Sequence, residues 1–257
     1  MCELFGINSA NQVLCNEMLR EFYSHGVDNP HGWGLALFYR NAVSLEKEPV
    51  DATKSIYLKN RLTEDIFADN LIAHIRKASK GGIEYCNSHP FVKRDERDRV
   101  WTLAHNGTIF ESEVLQTYVS SQRGQTDSER ILCCILDRVN TAAKKAGRAL
   151  TEEERFWIVD GIIHEITPEN RVNLLIYDGE LLYVHTNYRD SLYQRKKAKS
   201  VYISTKPLKK GNWERVPMNT LFAYRGGVKV YEGKQHANEY MDSDAKTKYL
   251  FLDYANI

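Results

Sequence analysis

Val172-Asn173-Leu174-Leu175-Ile176-Tyr177-Asp178-Gly179-Glu180-Leu181-Leu182-Tyr183-Val184-His185-Thr186 contains two strand-like apolar runs. Val172 to Tyr177 and Leu181 to Thr186 flank Asp178-Gly179, a pair that suits the left-handed backbone of a tight hairpin turn. These runs therefore read as an antiparallel pair. Upstream lie helices. Thr151-Glu152-Glu153-Glu154 has the capping-box pattern and starts a helix ending near Ile166, before Pro168. Asp127 to Ala146 carries Ile131, Cys134, Ile135 and Val139 on one helical stripe. Glu111 to Ser120 reads as a shorter helix.

Farther upstream the pattern is mostly strands: Cys2 to Ser9, Trp33 to Tyr39, Val43 to Lys47 after a turn at Asn41-Ala42, Asn70 to Lys77, and Val100 to His105. In Asn70 to Lys77, Leu71, Ala73 and Ile75 share one face, and Ile72, His74 and Arg76 share the other. Helices are expected at Leu14 to Ser24 and Thr53 to Leu62. Downstream, Val201 to Ser204, Thr220 to Tyr224 and Val228 to Tyr231 read as strands. Strands, then helices, then strands is not the alternation of a doubly wound parallel sheet. It predicts an α+β domain of two antiparallel sheets with helices outside. The apolar last dozen residues, with Tyr249, Leu250, Phe251 and Leu252, are expected to dock on the core.

A chain of 257 residues buries roughly three-quarters of its unfolded surface, so it needs no disulfide or metal to support a core. Residues 1–257 are expected to form one domain. Lys plus Arg number 35 against 34 Asp plus Glu, which leaves no electrostatic footprint for nucleic acid or an anionic membrane. No signal peptide and no membrane-spanning run is apparent, so a cytoplasmic protein is expected. An odd count of five cysteines argues against a disulfide framework. Cys133 and Cys134 read as small buried hydrophobes, and Cys15 as structural. No cofactor or metal is expected.

Cys2 stands apart. Removal of Met1 would leave a cysteine with a thiol and a free α-amine, whose ordinary pKa values are roughly 8.5 and 7.7–8.0. The amine can take the thiol proton and later deliver it to a leaving amine. A thiolate attacking an amide also needs donors at the developing oxyanion. His105-Asn106-Gly107-Thr108 offers an amide side chain and a glycine free to turn left-handed, although an ordinary turn explains these residues as well. Arg76, closing a strand before a Gly-containing loop, can hold a carboxylate in bidentate fashion. Asp127, at a helix start, can face an ammonium. The plainer readings are an edge-strand arginine and a helix-capping acid.

Taken in order, six pieces resemble class II glutamine amidotransferases: Cys2 with Gly6, His31-Gly32-Trp33-Gly34, Ala73-His74-Ile75-Arg76, Asn87-Ser88-His89-Pro90-Phe91, Ala104-His105-Asn106-Gly107, and Thr126-Asp127-Ser128-Glu129. The best match is the stand-alone branch with no attached synthase, which includes bacterial amidotransferases and γ-glutamyl amidohydrolases. A weaker match, Ser204-Thr205-Lys206-Pro207-Leu208, extends the resemblance toward the later strands. It implies the αββα fold of N-terminal-nucleophile hydrolases. It also implies Cys2 as nucleophile and its α-amine as base, with the Asn106 side chain and Gly107 N–H as oxyanion hole. Arg76 would hold the substrate α-carboxylate and Asp127 its α-amine, with Ser79 as a further substrate contact.

There are departures. Lys77 stands where the larger family has Trp, and Lys80 where a histidine is common, both beside the implied amino-acid pocket. His74, His89 and His105 are expected as hydrogen-bonding supports rather than a metal triad. Three functions stay open: a glutaminase passing ammonia to a separate synthase, a hydrolase of γ-glutamyl amides or peptides, and an inactive binding module. The substrate is a small molecule in the first two, and a homo-oligomer is compatible with all three.

Overall fold

The structure, a computed structural model, describes residues 2–39 and 42–243. Processing at Met1, the turn at Asn41 and the docking of the last dozen residues lie outside the described residues. Thirteen strands and five α-helices are arranged as β1 (Glu3–Leu14), α1 (Asn16–Ser24), β2 (Trp33–Tyr39), β3 (Ala42–Glu48), α2 (Ile56–Arg61), β4 (Phe67–Ile75), β5 (Phe91–Arg94), β6 (Val100–Thr108), α3 (Glu113–Gln116), α4 (Asp127–Ala146), α5 (Glu152–Ile166), β7 (Arg171–Tyr177), β8 (Leu182–His185), β9 (Tyr193–Lys197), β10 (Ser200–Ser204), β11 (Glu214–Arg215), β12 (Phe222–Arg225) and β13 (Val228–Glu232).

The strands form two sheets, β11-β9-β10-β1-β4-β2-β3 and β13-β12-β8-β7-β6-β5, with every ladder antiparallel. Side-chain alternation sorts their residues into three apolar layers. Phe5, Ile7, Leu35, Leu71, Ala73 and Ile75 pack outward against Leu19 and Phe22 of α1 and Leu58 of α2. Leu4, Ala36 and Ile72 of the same strands point inward and meet Ala104, Leu175 and Val184 of the other sheet. On that sheet's outer face, Leu103, Leu174 and Ile176 pack under α4 and α5. The order is helix, sheet, sheet, helix, an α+β sandwich of four layers. The faces expected of Leu71-Ala73-Ile75 and of Ile72 are as observed.

The Asp178-Gly179 hairpin forms as expected. Gly179 has φ +90°, and Asp178 Oδ1 accepts from the N–H groups of Glu180 and Leu181 at 3.0 and 2.8 Å. Helix α4 spans the expected residues, and the Thr151–Glu154 capping box is complete at α5. Other boundaries move. Strand β1 runs to Leu14, so α1 starts at Asn16 and Cys15 only precedes it. Asp51 holds Thr53 in a turn and Ser55 caps α2, which shortens that helix. The expected helix Glu111 to Ser120 breaks into α3 and one 3-10 turn, Val119–Ser121. Strands β5, β9 and β11 were not legible. They are short and rich in Lys, Arg and Glu, the composition by which strands near a sheet edge resist further pairing. No described helix is long and apolar enough to cross a membrane.

Candidate active site

Alternation along β1 decides where Cys2 points. Leu4 and Gly6 face between the sheets, and a Cβ on Gly6 would meet Leu175 Cδ1 of β7 at 2.9 Å. Cys2, two residues before Leu4, projects to the same side. Its half-buried thiol donates to Lys77 O at 3.3 Å and accepts from Lys77 N–H at 3.3 Å. Burial pushes the thiol above its ordinary pKa, against the Lys77 N–H and the positive charges of Arg76 and Arg171.

Across the sandwich, β6 offers the donors. Asn106 lies two residues beyond Ala104, which packs between the sheets, and shares that face. Its side chain is buried, and Nδ2 has no acceptor among the described residues. A buried amide donor left without a partner costs about 1–3 kcal/mol, so such a group calls for an acceptor from a water or a ligand. Asn106 and Gly107 do not form the expected turn. They sit inside β6, opposite Asn173 and Val172. Gly107 has no left-handed φ; its need for glycine is steric. A Cβ there would lie 2.0 Å from Arg171 O and 2.4 Å from His105 Nε2. Val172 donates its N–H to Asn187 Oδ1 and its carbonyl accepts from His185 Nδ1, so both face away from β6. In an antiparallel ladder the opposite residue then turns its own N–H outward as well. Gly107 N–H therefore points off the β7 side of β6, beyond the end of β5, whose pairing stops at Leu103.

Arg76 is buried where β4 runs out. Its Nη1 donates to Gly82 O at 2.8 Å, and its Nη2 to Lys80 O and Gly81 O at 3.0 and 2.9 Å. The expected carboxylate holder thus also shapes its own loop. Asn87 and Gln125 brace that loop. Asn87 Nδ2 donates to Gly82 O and Gln125 Oε1, and Gln125 Oε1 also accepts from Gly82 N–H. Lys80, one of the departures, reaches across to Ile109 O. Asp127 lies beneath that contact, its Oδ2 accepting from Ile109 N–H at 2.6 Å. Ser79 is half-buried in the same loop.

Of the three expected histidine supports, one acts as such. His105 Nε2 donates to Arg171 O, which leaves Nδ1 to accept from the Ser128 hydroxyl, itself 3.3 Å from Asp127 Oδ1. His74 and His89 instead stack with ring centroids 4.3 Å apart, and their ring nitrogens lack hydrogen-bond partners among the described residues. Burial pushes His74 down to about 3 and His89 well below the usual range. No group of three His, Cys, Asp or Glu among the described residues is placed to hold a metal ion. Sequence reading singled out neither Asn87 and Gln125 as braces of the Arg76 loop nor Glu3 as a buried, paired charge. A buried charge on an otherwise apolar strand was the available signal for Glu3.

Residues 1–198 match the family model of class-II glutamine amidotransferases. The "Uncharacterized protein MJ1515" of Methanocaldococcus jannaschii is 29% identical over 91% of this chain and 72% of its own. The "Putative glutamine amidotransferase YafJ" of Escherichia coli is 28% identical over 73% of this chain and 74% of its own. Among solved structures, a predicted glutamine amidotransferase from Pseudomonas aeruginosa covers 90% of this chain and 100% of its own at TM-score 0.61 and 19% identity. The glutamine phosphoribosylpyrophosphate amidotransferase of B. subtilis covers 93% of this chain with 50% of its own, at TM-score 0.68 and 15% identity. These structures carry the likeness of fold, that of the N-terminal-nucleophile amidotransferases.

Proposed function

The chain belongs to the class II glutamine amidotransferases, and from that premise we propose that it cleaves the γ-amide of glutamine or of a γ-glutamyl compound through a thioester on Cys2. Removal of Met1 frees the α-amine of Cys2. That amine takes the thiol proton, directly or through a water, and the sulfur attacks the γ-carbonyl carbon. Asn106 Nδ2 and Gly107 N–H donate to the oxyanion. Collapse breaks the C–N bond, and the leaving ammonia or amine receives the proton from the α-ammonium. Water, deprotonated by the same amine, then hydrolyses the thioester to glutamate. Arg76 holds the substrate α-carboxylate, Asp127 its α-ammonium, and Ser79 adds a contact at the loop.

The observation that carries this reading is Asn106 Nδ2, buried without an acceptor among the described residues on the face of β6 turned toward the sheet of Cys2. The reading makes residues 1–257 one glutaminase unit in the cytoplasm, where five free cysteines are at home. Ammonia, if it is the product, passes to a separate synthase.

The test is glutamate release from glutamine and from a γ-glutamyl dipeptide, for wild type and Cys2→Ala. Release from glutamine supports the ammonia-yielding enzyme. Release from the dipeptide alone supports the hydrolase of γ-glutamyl amides. Release from neither, or release that survives Cys2→Ala, overturns the proposal.

A further inference from the structure

Glu3 directly follows the expected nucleophile and is a carboxylate where the pattern of β1 calls for a core residue. It shares the outward face of Phe5 and Ile7, which pack against α1, and is 2% exposed. A charge buried there costs several kcal/mol unless it is paired and hydrogen-bonded. Glu3 is paired on three sides. His25 Nδ1 lies 2.8 Å from Oε2, Lys206 Nζ 2.5 Å from Oε1, and Asn29 Nδ2 donates to Oε1 at 3.3 Å. Burial alone would raise the carboxyl, but the bonds with His25 and Lys206 outweigh it and hold its pKa below the usual value. The neighbouring residue is pinned as well. Leu4 N–H donates to Thr205 Oγ1 at 2.7 Å, and Thr205 N–H donates to Leu4 O at 3.0 Å. Glu3 and Leu4 also pair with Ile75 and His74 of β4.

We propose that Glu3, Thr205 and Lys206 are positioning residues that clamp the start of β1 and so aim Cys2 at the oxyanion donors of β6. Cys2 itself precedes the first ladder pair, and chain ends fray unless tied down. Two ties act on it: its thiol on the Lys77 backbone, and the residues beside it on Thr205 and Lys206. Loss of the second lets the thiol swing while the amino-acid pocket around Arg76 and Asp127 stays intact. The Ser204-Thr205-Lys206 segment thereby gains a use in the site, although it lies about 200 positions along the chain from Cys2.

This inference rests on Cys2 being the nucleophile, and its test separates the two. Lys206 is 53% exposed, so its replacement opens no cavity in the core; it does take one partner from the buried Glu3, a cost that the thermal midpoint reads. Lys206→Met, Lys206→Arg, Thr205→Val and Thr205→Ser are compared with wild type in the full chain. The measurements are kcat and KM for whichever γ-glutamyl substrate wild type turns over, amide exchange by mass spectrometry across residues 3–5 and at Lys77, and the thermal midpoint. Lys206→Met and Thr205→Val lower kcat roughly 10- to 100-fold, the cost of a misplacement near 1 Å, with KM within about twofold. Exchange of the Leu4 amide speeds up, and Arg and Ser rescue both effects. Unchanged exchange, or a kcat within about twofold of wild type, overturns the clamp. So does a kcat loss that tracks the thermal midpoint and is not rescued. A wild type that turns over neither substrate refutes the functional reading, and the exchange measurement still decides the clamp.

Discussion

The sulfur of Cys2 lies 3.3 Å from both the N–H and the carbonyl oxygen of Lys77, which follows Arg76 directly in sequence. The expected nucleophile therefore rests against the backbone that directly follows the expected carboxylate holder. With burial holding its pKa above the ordinary value, the thiol is mostly protonated near neutrality. Alkylation of Cys2 by iodoacetamide is expected to rise with pH through a midpoint above the usual cysteine value of about 8.5. Peptide mass mapping at a series of pH values reads this. A midpoint below neutrality contradicts the burial argument. Protein that retains Met1 is expected to release no glutamate, since its base is then an amide nitrogen.

Arg76 should show two effects at once. Three of its donors serve the carbonyls of Lys80, Gly81 and Gly82, so the side chain organises the loop as well as meeting a carboxylate. Arg76→Lys supplies a point charge without the planar fork, and is expected to raise the KM for glutamine at least about tenfold. Faster amide exchange across residues 80–82 should accompany the change. A raised KM with unaltered exchange would mean that the carbonyl contacts contribute little to loop order.

The sheets and long helices were legible because their signals are local. The Asp178-Gly179 turn, the Thr151 capping box and the stripe of α4 each sit within a few residues, and all three form as read. The site was legible as ordered motifs but not as geometry. Asn106-Gly107 reads as a turn in one dimension, yet it lies within β6 because β7 pairs with it from far along the chain, at Asn173 and Val172. Contacts that distant leave no periodic trace. Glu3 with Lys206, and Asn87 with Gln125, escaped for the same reason.

Gly34 tests the close approach of backbone to backbone near the site. A Cβ on it would lie 2.0 Å from His89 O, and a backbone carbonyl cannot swing away as a side chain can. Gly34→Ala is expected to cost about 3 kcal/mol or more, a fall in thermal midpoint of roughly 6–12 °C. Gly6→Ala meets one tight neighbour, Leu175 Cδ1 at 2.9 Å, with the nearest backbone atom, Leu71 O, at 3.6 Å, and should cost less, since that methyl can rotate. Differential scanning calorimetry of the two variants gives the order, and equal losses would refute the distinction.

Acid should unfold this protein through its buried neutral histidines. His185 is fully buried, with Nδ1 against Val172 O and Nε2 against His236 Nε2, and burial pushes its pKa down to about 3. The carbonyl requires a proton on Nδ1, so Nε2 accepts from His236. His236 in turn keeps its own Nδ1 free to accept from Asn238 N–H. Protonating either ring places two N–H groups face to face. The unfolded chain binds these protons near the ordinary pKa of about 6.5, whereas the folded chain takes one on His185 only near 3 and on His236 only near 4, so stability is full above pH 6.5 and falls as pH drops toward 3. Urea unfolding at pH 7 and pH 5 should show this loss, with His185 contributing on the order of 1–2 kcal/mol. His185→Gln, which keeps a hydrogen-bonding side chain but cannot titrate, is expected to flatten the dependence by that amount. An unaltered slope in this variant would assign the acid sensitivity to the stacked pair His74 and His89 instead.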